Sequence, residues 1–397
     1  MSKRKLRVGL ISSYVPKKCG IATHSRDLIE AIHNNSGFDW RLIAAEDAKD
    51  SYSYNGKDVA VLKKDSLESY EAAAKAMNEW QPDVVLLEHE FGLYGGSWVD
   101  IEQNGIARHD PTGDYILTLI NALSAPIITT LHTVIPEPDE IRRNVMRSIS
   151  ERSTKLITMT EDARTTLNFY YGIDEKHIEV IPHGVPQPTK RDKKIVLEEL
   201  GLDSDRFYLL ITGLIGPNKS IDSVIKSLPE IIERHPEVTL LVVGQTHPDI
   251  LAAVGEEYRE SLISLADELG VSQSLQFVNE YLPIEKLVDY FTIADIYFTI
   301  HKDPEQSASG TLAYSLGCGL AAISTPYRYA KEVLADGRGF LVPFGSVQAI
   351  TDQVNNLIEN TDLRQQAREK AMAFGSSMSW GKVADAYIDL LKEIIKE

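Results

Sequence analysis

Short runs of aliphatic and β-branched residues recur along the chain, and most are followed by a segment whose apolar positions repeat at helical spacing. The runs at 6–12, 41–46, 83–88, 126–131, 155–160 and 179–182 form one set of predicted strands. A second set lies at 207–212, 238–243, 275–278, 295–299, 320–324 and 339–342. Strands that alternate with helices in this way predict parallel sheets covered by helices on both faces, an α/β architecture. After the run at 207–212, Ile221, Val224, Ile225, Leu228, Ile231 and Ile232 recur with the period of an amphipathic helix. Between the two sets, residues 181–194 read Ile-Pro-His-Gly-Val-Pro-Gln-Pro-Thr-Lys-Arg-Asp-Lys-Lys, the composition of a linker. The pattern therefore predicts two doubly wound, Rossmann-like domains, 1–186 and 187–379, with a closing helix in 380–397. Residues 97–113 are polar and aperiodic, and are expected to form a surface loop.

Composition narrows the class. The 397 residues carry 41 basic and 58 acidic side chains, a formal net charge of -17. That sign disfavours nucleic-acid binding, which needs a basic surface to displace counterions. Lys3, Arg4, Lys5, Arg7, Lys17, Lys18 and Arg26 make the start of the chain locally basic. They form either a charged tail or a patch facing anionic lipid or an acidic acceptor, so peripheral membrane contact stays open. Two cysteines, Cys19 and Cys318, imply no disulfide framework and fit a reducing compartment. No apolar segment precedes Ser12 to read as a signal peptide, and no run is long enough to span a bilayer, so a cytoplasmic location is expected. The oligomeric state is not readable.

Open α/β sheets bind ligands beyond the carboxyl ends of their strands, so the residues just after each run are the candidates. After the first run comes Pro16-Lys17-Lys18-Cys19-Gly20-Ile21-Ala22-Thr23. It lacks the dinucleotide glycine fingerprint, but a glycine turn opening a helix exposes amides that can receive an anion; a plain tight turn is the alternative. The third run ends at Glu88-His89-Glu90 and the fourth at Leu131-His132-Thr133. Histidines at two strand ends are either ligand-facing or structural, and no third residue has the spacing of a metal ligand, so no metal is expected. The turn Thr212-Gly213-Leu214-Ile215-Gly216-Pro217-Asn218-Lys219-Ser220 nearly matches a phosphate-binding loop, with Asn218 where its second glycine should be. That departure argues against a nucleotide hydrolase, while Lys219 remains a natural phosphate ligand. Ser309-Gly310-Thr311 opens the helix after the run at 295–299, which places unpaired amides and a positive dipole end at the sheet edge. A simple helix cap is the alternative.

Eight short motifs then fall in order: Cys-Gly-Ile-Ala-Thr at 19–23, His-Glu-Phe-Gly at 89–92, Thr-Leu-His-Thr at 130–133, Ile-Pro-His-Gly-Val-Pro at 181–186, Pro-Asn-Lys at 217–219, Ser-Gly-Thr-Leu-Ala-Tyr at 309–314, Ser-Thr-Pro-Tyr at 324–327 and Gly-Arg-Gly at 337–339. Together they resemble a bacterial branch of the retaining GT-B glycosyltransferases of family four. The resemblance implies two Rossmann-like domains facing each other across a cleft, with the last helix returning to the N-terminal one. It implies retaining, metal-independent transfer of a hexose (mannose or glucose) from a nucleotide-diphosphate sugar to a sugar, glycan or lipid-linked acceptor, with no further cofactor. His132 and Lys219 would be catalytic. Cys19, Gly20, Ile21, Gly213, Asn218, Lys219, Gln306, Ser309, Gly310, Thr311 and Tyr314 would bind the donor, and His89, Glu90 and His183 would lie on the sugar or acceptor side.

The chain departs from the wider family at three places. Leu214 stands where that family has an arginine, and Gln306 and Tyr314 stand where it has two glutamates, Glu305 being one position out of register. A retaining phosphorylase of the same fold is the nearest enzymatic alternative, and a two-lobed sugar-binding protein is the non-enzymatic one.

Overall fold

The computed structural model describes residues 5–36, 38–47, 49–54, 59–96, 98–103, 106–188 and 191–396. The chain divides into two compact units: Met1–Gly184 with Trp380–Glu397, and Val185–Ser379.

Unit 1 contains β1 (Arg7–Ser12), β2 (Asp39–Glu46), β3 (Val59–Lys63), β4 (Val84–His89), β5 (Trp98–Gln103), β6 (Ile106–Pro111), β7 (Ile127–Leu131), β8 (Lys155–Thr158) and β9 (Ile178–Val180). Seven of these strands pair in parallel in the order β3-β2-β1-β4-β7-β8-β9. Every residue of β4 and β7 is buried, as expected of strands covered on both faces. The other two strands, β5 and β6, pair antiparallel as a separate hairpin within the insertion expected to be a loop, of which Ser97, Asn104 and Gly105 lie outside the described residues. The helix Trp380–Lys396 completes this unit. Its buried Val383, Ala384, Tyr387 and Leu391 pack in one cluster with Leu28, Ile29 and Ile32 of the helix Gly20–Ser36.

Unit 2 contains β10 (Phe207–Thr212), β11 (Val238–Val243), β12 (Leu275–Val278), β13 (Ile296–Thr299), β14 (Ala321–Ser324) and β15 (Gly339–Leu341). They pair in parallel in the order β12-β11-β10-β13-β14-β15. Each sheet starts with its first strand in the middle, runs outward one way, then reverses. The crevice at such a reversal receives ligands, because the loops on either side lead away from each other. In unit 1 the reversal lies between β1 and β4, in unit 2 between β10 and β13. No helix among the described residues is long and apolar enough to cross a membrane.

Candidate active site

At the reversal in unit 1, three strand ends deliver ionisable side chains to one place. Beyond β1 the chain turns into the helix Gly20–Ser36. Ala22, Ser25, Leu28 and Ile29 form the buried face of that helix, and His24 shares it at 2% exposure. Glu88, at the end of β4, is fully buried, and its Oε2 lies 2.7 Å from Nε2 of His132, just beyond β7. The same oxygen is 3.7 Å from His24 Nε2. The His24 ring centroid lies 5.0 Å from that of His132, 4.9 Å from that of His183 and 5.2 Å from the Trp380 ring. Burial, together with the neighbouring imidazoles, drives His24 well below the ordinary histidine range. Burial also pushes His183 down to about 4. Both are neutral at pH 7.

These side chains are also the one group of metal-ligand type among the described residues: His24, Glu88 and His132 bring one nitrogen or oxygen each within 4.8 Å of one another. The sequence argument against a metal, that no third ligand has a suitable spacing, therefore does not stand. Two ligands of one tetrahedral zinc stand about 3.3 Å apart when each bond is about 2.0 Å. Glu88 and His132 at 2.7 Å are at the spacing of a shared proton.

At the reversal in unit 2 the arrangement is cationic. Gly213 follows β10 with φ +101°, and Lys219 ends the short 3-10 turn Pro217–Lys219. A Cβ on Gly213 would lie 3.2 Å from Thr311 Cγ2 and 3.3 Å from Lys219 Nζ, so glycine is what lets these two side chains converge. The Lys219 ammonium donates to the Thr212 carbonyl at 3.2 Å, and among the described residues no carboxylate pairs with it. Burial alone pushes it down to about 8. Ser309 caps the helix Gly310–Gly317, its hydroxyl accepting from the Leu312 amide at 3.4 Å, and Gly310 and Thr311 form the first turn. His301, beyond β13, is pushed down to about 3 by burial and secondarily by the Lys219 charge. A half-buried cation with no carboxylate partner among the described residues, beside the amino end of a helix, is an anion-binding arrangement.

The sequence matches the family model described as Glycosyl transferases group 1 over residues 192–374, and that described as Glycosyltransferase Family 4 over residues 107–187. The structure is similar to a glycosyltransferase from Rickettsia africae, with a TM-score of 0.74 at 17% identity, covering 99% of this chain and 100% of that one. It is likewise similar to Anabaena HepE in complex with UDP, with a TM-score of 0.73 at 15% identity over 98% of this chain and 100% of that one. This chain has the GT-B glycosyltransferase fold. Among curated relatives, the D-inositol 3-phosphate glycosyltransferase of Nocardia farcinica is 26% identical over 286 residues. That match takes in 66% of this chain and 60% of the relative, so it spans less than two thirds of the relative's length.

Within this GT-B fold the expected site residues separate into those the structure gathers and those it does not. Gly213, Lys219, Ser309, Gly310 and Thr311 lie at the unit 2 reversal, and His132 and His183 at the unit 1 reversal. Gly20 opens its helix, and a Cβ there would meet nothing within 4 Å, so no packing inside the protein requires glycine. Cys19 Sγ sits 3.5 Å from Ser13 Oγ, and Ile21 packs partly buried against the sheet. The Asn218 side chain is exposed, and its carbonyl accepts from Lys302 N at 2.9 Å. Gln306 turns its amide onto the Ala308 carbonyl at 2.7 Å.

Three further expected residues are placed as follows. His89 is 0% exposed, and its ring packs against Phe91 and Tyr94 with centroids 5.1 and 6.1 Å away, so it is a core side chain. Glu90 is engaged internally, accepting from the Phe91 amide at 3.0 Å and from the Thr133 hydroxyl. Tyr314 is 6% exposed within the main apolar cluster of unit 2, because its helix is buried nearly all round. Sequence reasoning did not single out His24, Glu88, His301 or Trp380. For His24 a signal existed: it stands four residues after Gly20, on the helix face that carries Leu28.

Proposed function

We propose that this chain is a retaining, metal-independent hexosyltransferase that uses a nucleotide-diphosphate sugar. The observation that carries the reading is Lys219, a half-buried ammonium with no counter-anion among the described residues, placed by Gly213 beside Thr311 in the first turn of the helix Gly310–Gly317. A diphosphate supplies the missing charge, and it gains more negative charge as the sugar departs. Fixed cations and amides therefore favour the transition state over the ground state. Structural relatives support the donor class, Anabaena HepE having been crystallised with UDP-glucose. Relatives named D-inositol 3-phosphate glycosyltransferase support transfer to a hydroxylated acceptor.

In this reading unit 2 holds the diphosphate, and His132 is a sugar-side group, the sugar being glucose or mannose. The open space beside Gly20 lets a ligand approach the helix amides. Acceptor attack occurs on the face the diphosphate leaves, with the departing phosphate oxygen taking the acceptor proton, so that configuration is retained. The test is a binding and turnover panel of nucleoside diphosphates, their glucose and mannose conjugates, sugar 1-phosphates and inorganic phosphate. The proposal expects a nucleoside diphosphate to bind and its sugar conjugate to be consumed without added metal, with the anomer of the product matching that of the donor. Binding of inorganic phosphate with sugar-phosphate turnover alone would establish the phosphorylase instead.

A further inference from the structure

One buried carboxylate in unit 1 faces two imidazoles. Glu88 Oε2 is 2.7 Å from His132 Nε2 and 3.7 Å from His24 Nε2. Glu88 Oε1 has no hydrogen-bond partner, and neither has either ring nitrogen of His24. The other titratable groups around this pair are Glu90, which feels the His132 charge and accepts from Thr133, then His183, His89 and two tyrosines, Tyr94 and Tyr387. Burial keeps both histidines neutral at pH 7 and keeps both phenols protonated. Tyr94 donates to the Glu88 backbone carbonyl at 2.8 Å, and Tyr387 shares a hydrogen bond of 2.8 Å with Thr130, so neither phenol is bonded to the carboxylate. Glu88 therefore has one close bond, to His132.

Shape alone does not call for a carboxylate here, since burying one is costly and an amide of the same size would fill the space. What the carboxylate adds is direction. It can only accept, so the His132 nitrogen facing it must carry the proton, whereas an amide can accept or donate. Which imidazole nitrogen is protonated is set by the hydrogen bond the ring makes at its other end.

We propose that Glu88 is a positioning residue: it holds the proton of His132 on Nε2, leaves the lone pair on Nδ1, and keeps the ring at the strand edge in the one tautomer that serves sugar transfer. This rests on the reading of His132 as the sugar-side group. The experiment combines two readouts on the full chain. In the first, nitrogen NMR of histidine-labelled protein, with His132 identified by its loss in H132Q, reports which ring nitrogen bears the proton. In the second, kcat and donor KM are compared between wild type and E88Q.

The wild type is expected to show His132 protonated on Nε2 alone, and E88Q to show a mixture or the reverse tautomer. Replacing a charge-assisted bond by a neutral one should lower kcat about tenfold, with donor KM changing less than about twofold. A wild-type His132 protonated on Nδ1 overturns the proposal whether or not E88Q folds. So does a folded E88Q with wild-type kcat. Stoichiometric binding of Co(II) with a visible absorption that E88Q abolishes would make the triad a metal site and also overturn it. The NMR readout needs no substrate. If no donor is consumed, the functional reading fails, while the tautomer still decides the hydrogen bond.

Discussion

Replacing Lys219 by methionine tests the anion site most directly, because it removes the charge and keeps the apolar stem. Lys219 has one neutral partner, the Thr212 carbonyl at 3.2 Å, so removing it breaks no ion pair. Burial holds its ammonium down at about 8 from an ordinary 10.5, so the charged form is disfavoured in the empty protein. The variant should melt at or above the wild-type temperature. The penalty it removes is fully present below pH 8. In the wild type that penalty shrinks as pH rises from about 8 towards 10.5, where the folded chain binds fewer protons than the unfolded one. Diphosphate binding restores the charge. A hydrogen bond to a charged group contributes about 1.5–3 kcal/mol, so K219M should lose roughly ten- to hundredfold in affinity. Wild-type affinity should also fall as pH climbs above about 8, and this dependence should vanish in K219M. Calorimetric titration of UDP at several pH values, beside a melting curve, measures all of it. A folded K219M that binds UDP as tightly as wild type would refute the assignment.

Three further outcomes follow. His132→Ala should lower kcat at least about tenfold while leaving UDP affinity nearly unchanged, because the lost group acts where the sugar reacts; turnover assays beside UDP titration check this, and intact kcat in a folded variant would defeat it. Gly213→Ala places a Cβ at a φ of +101° against Thr311 and Lys219, so it should cost about 1–2 kcal/mol in denaturant melts and also weaken UDP binding. Turnover should survive prolonged EDTA treatment, and complete loss restored by a divalent ion would contradict the role given to Lys219 and the helix amides.

The strands of both sheets were largely readable because a strand covered on both faces is a nearly continuous apolar run, as Val238–Val243 shows with Thr239 its one polar residue. Strand β3 was not, because Val59–Lys63 lies at a sheet edge with only Leu62 buried. The hairpin β5–β6 was not either, being read as a loop from its polar composition. Lys219 and Ser309–Thr311 could be found because each sits within one strand-to-helix turn. The cluster of His24, Glu88 and His132 could not, since its members lie on or after three different strands. Only the order β1-β4-β7 in the sheet brings those ends together, and residue spacing carries no strand order. A motif position such as Tyr314 names a neighbourhood, while the surrounding helix sets how deeply its side chain is buried.

Unit 1 is assembled from both ends of the chain, and this has a consequence during synthesis. When Gly184 leaves the ribosome, the helix Gly20–Ser36 still presents Leu28, Ile29 and Ile32 to water, because the helix that covers them begins at Trp380. All of Val185–Ser379 is made in between. Chains generally acquire structure in the order they are translated. Here the second half is the first that can close completely, while the first half waits with an apolar face exposed. A nascent chain that has emerged as far as Ser379 but no further would thus hold a finished unit 2 and an adhesive unit 1. Such nascent chains should recruit chaperones through the first half of the sequence, and release them once Tyr387 and Leu391 have emerged.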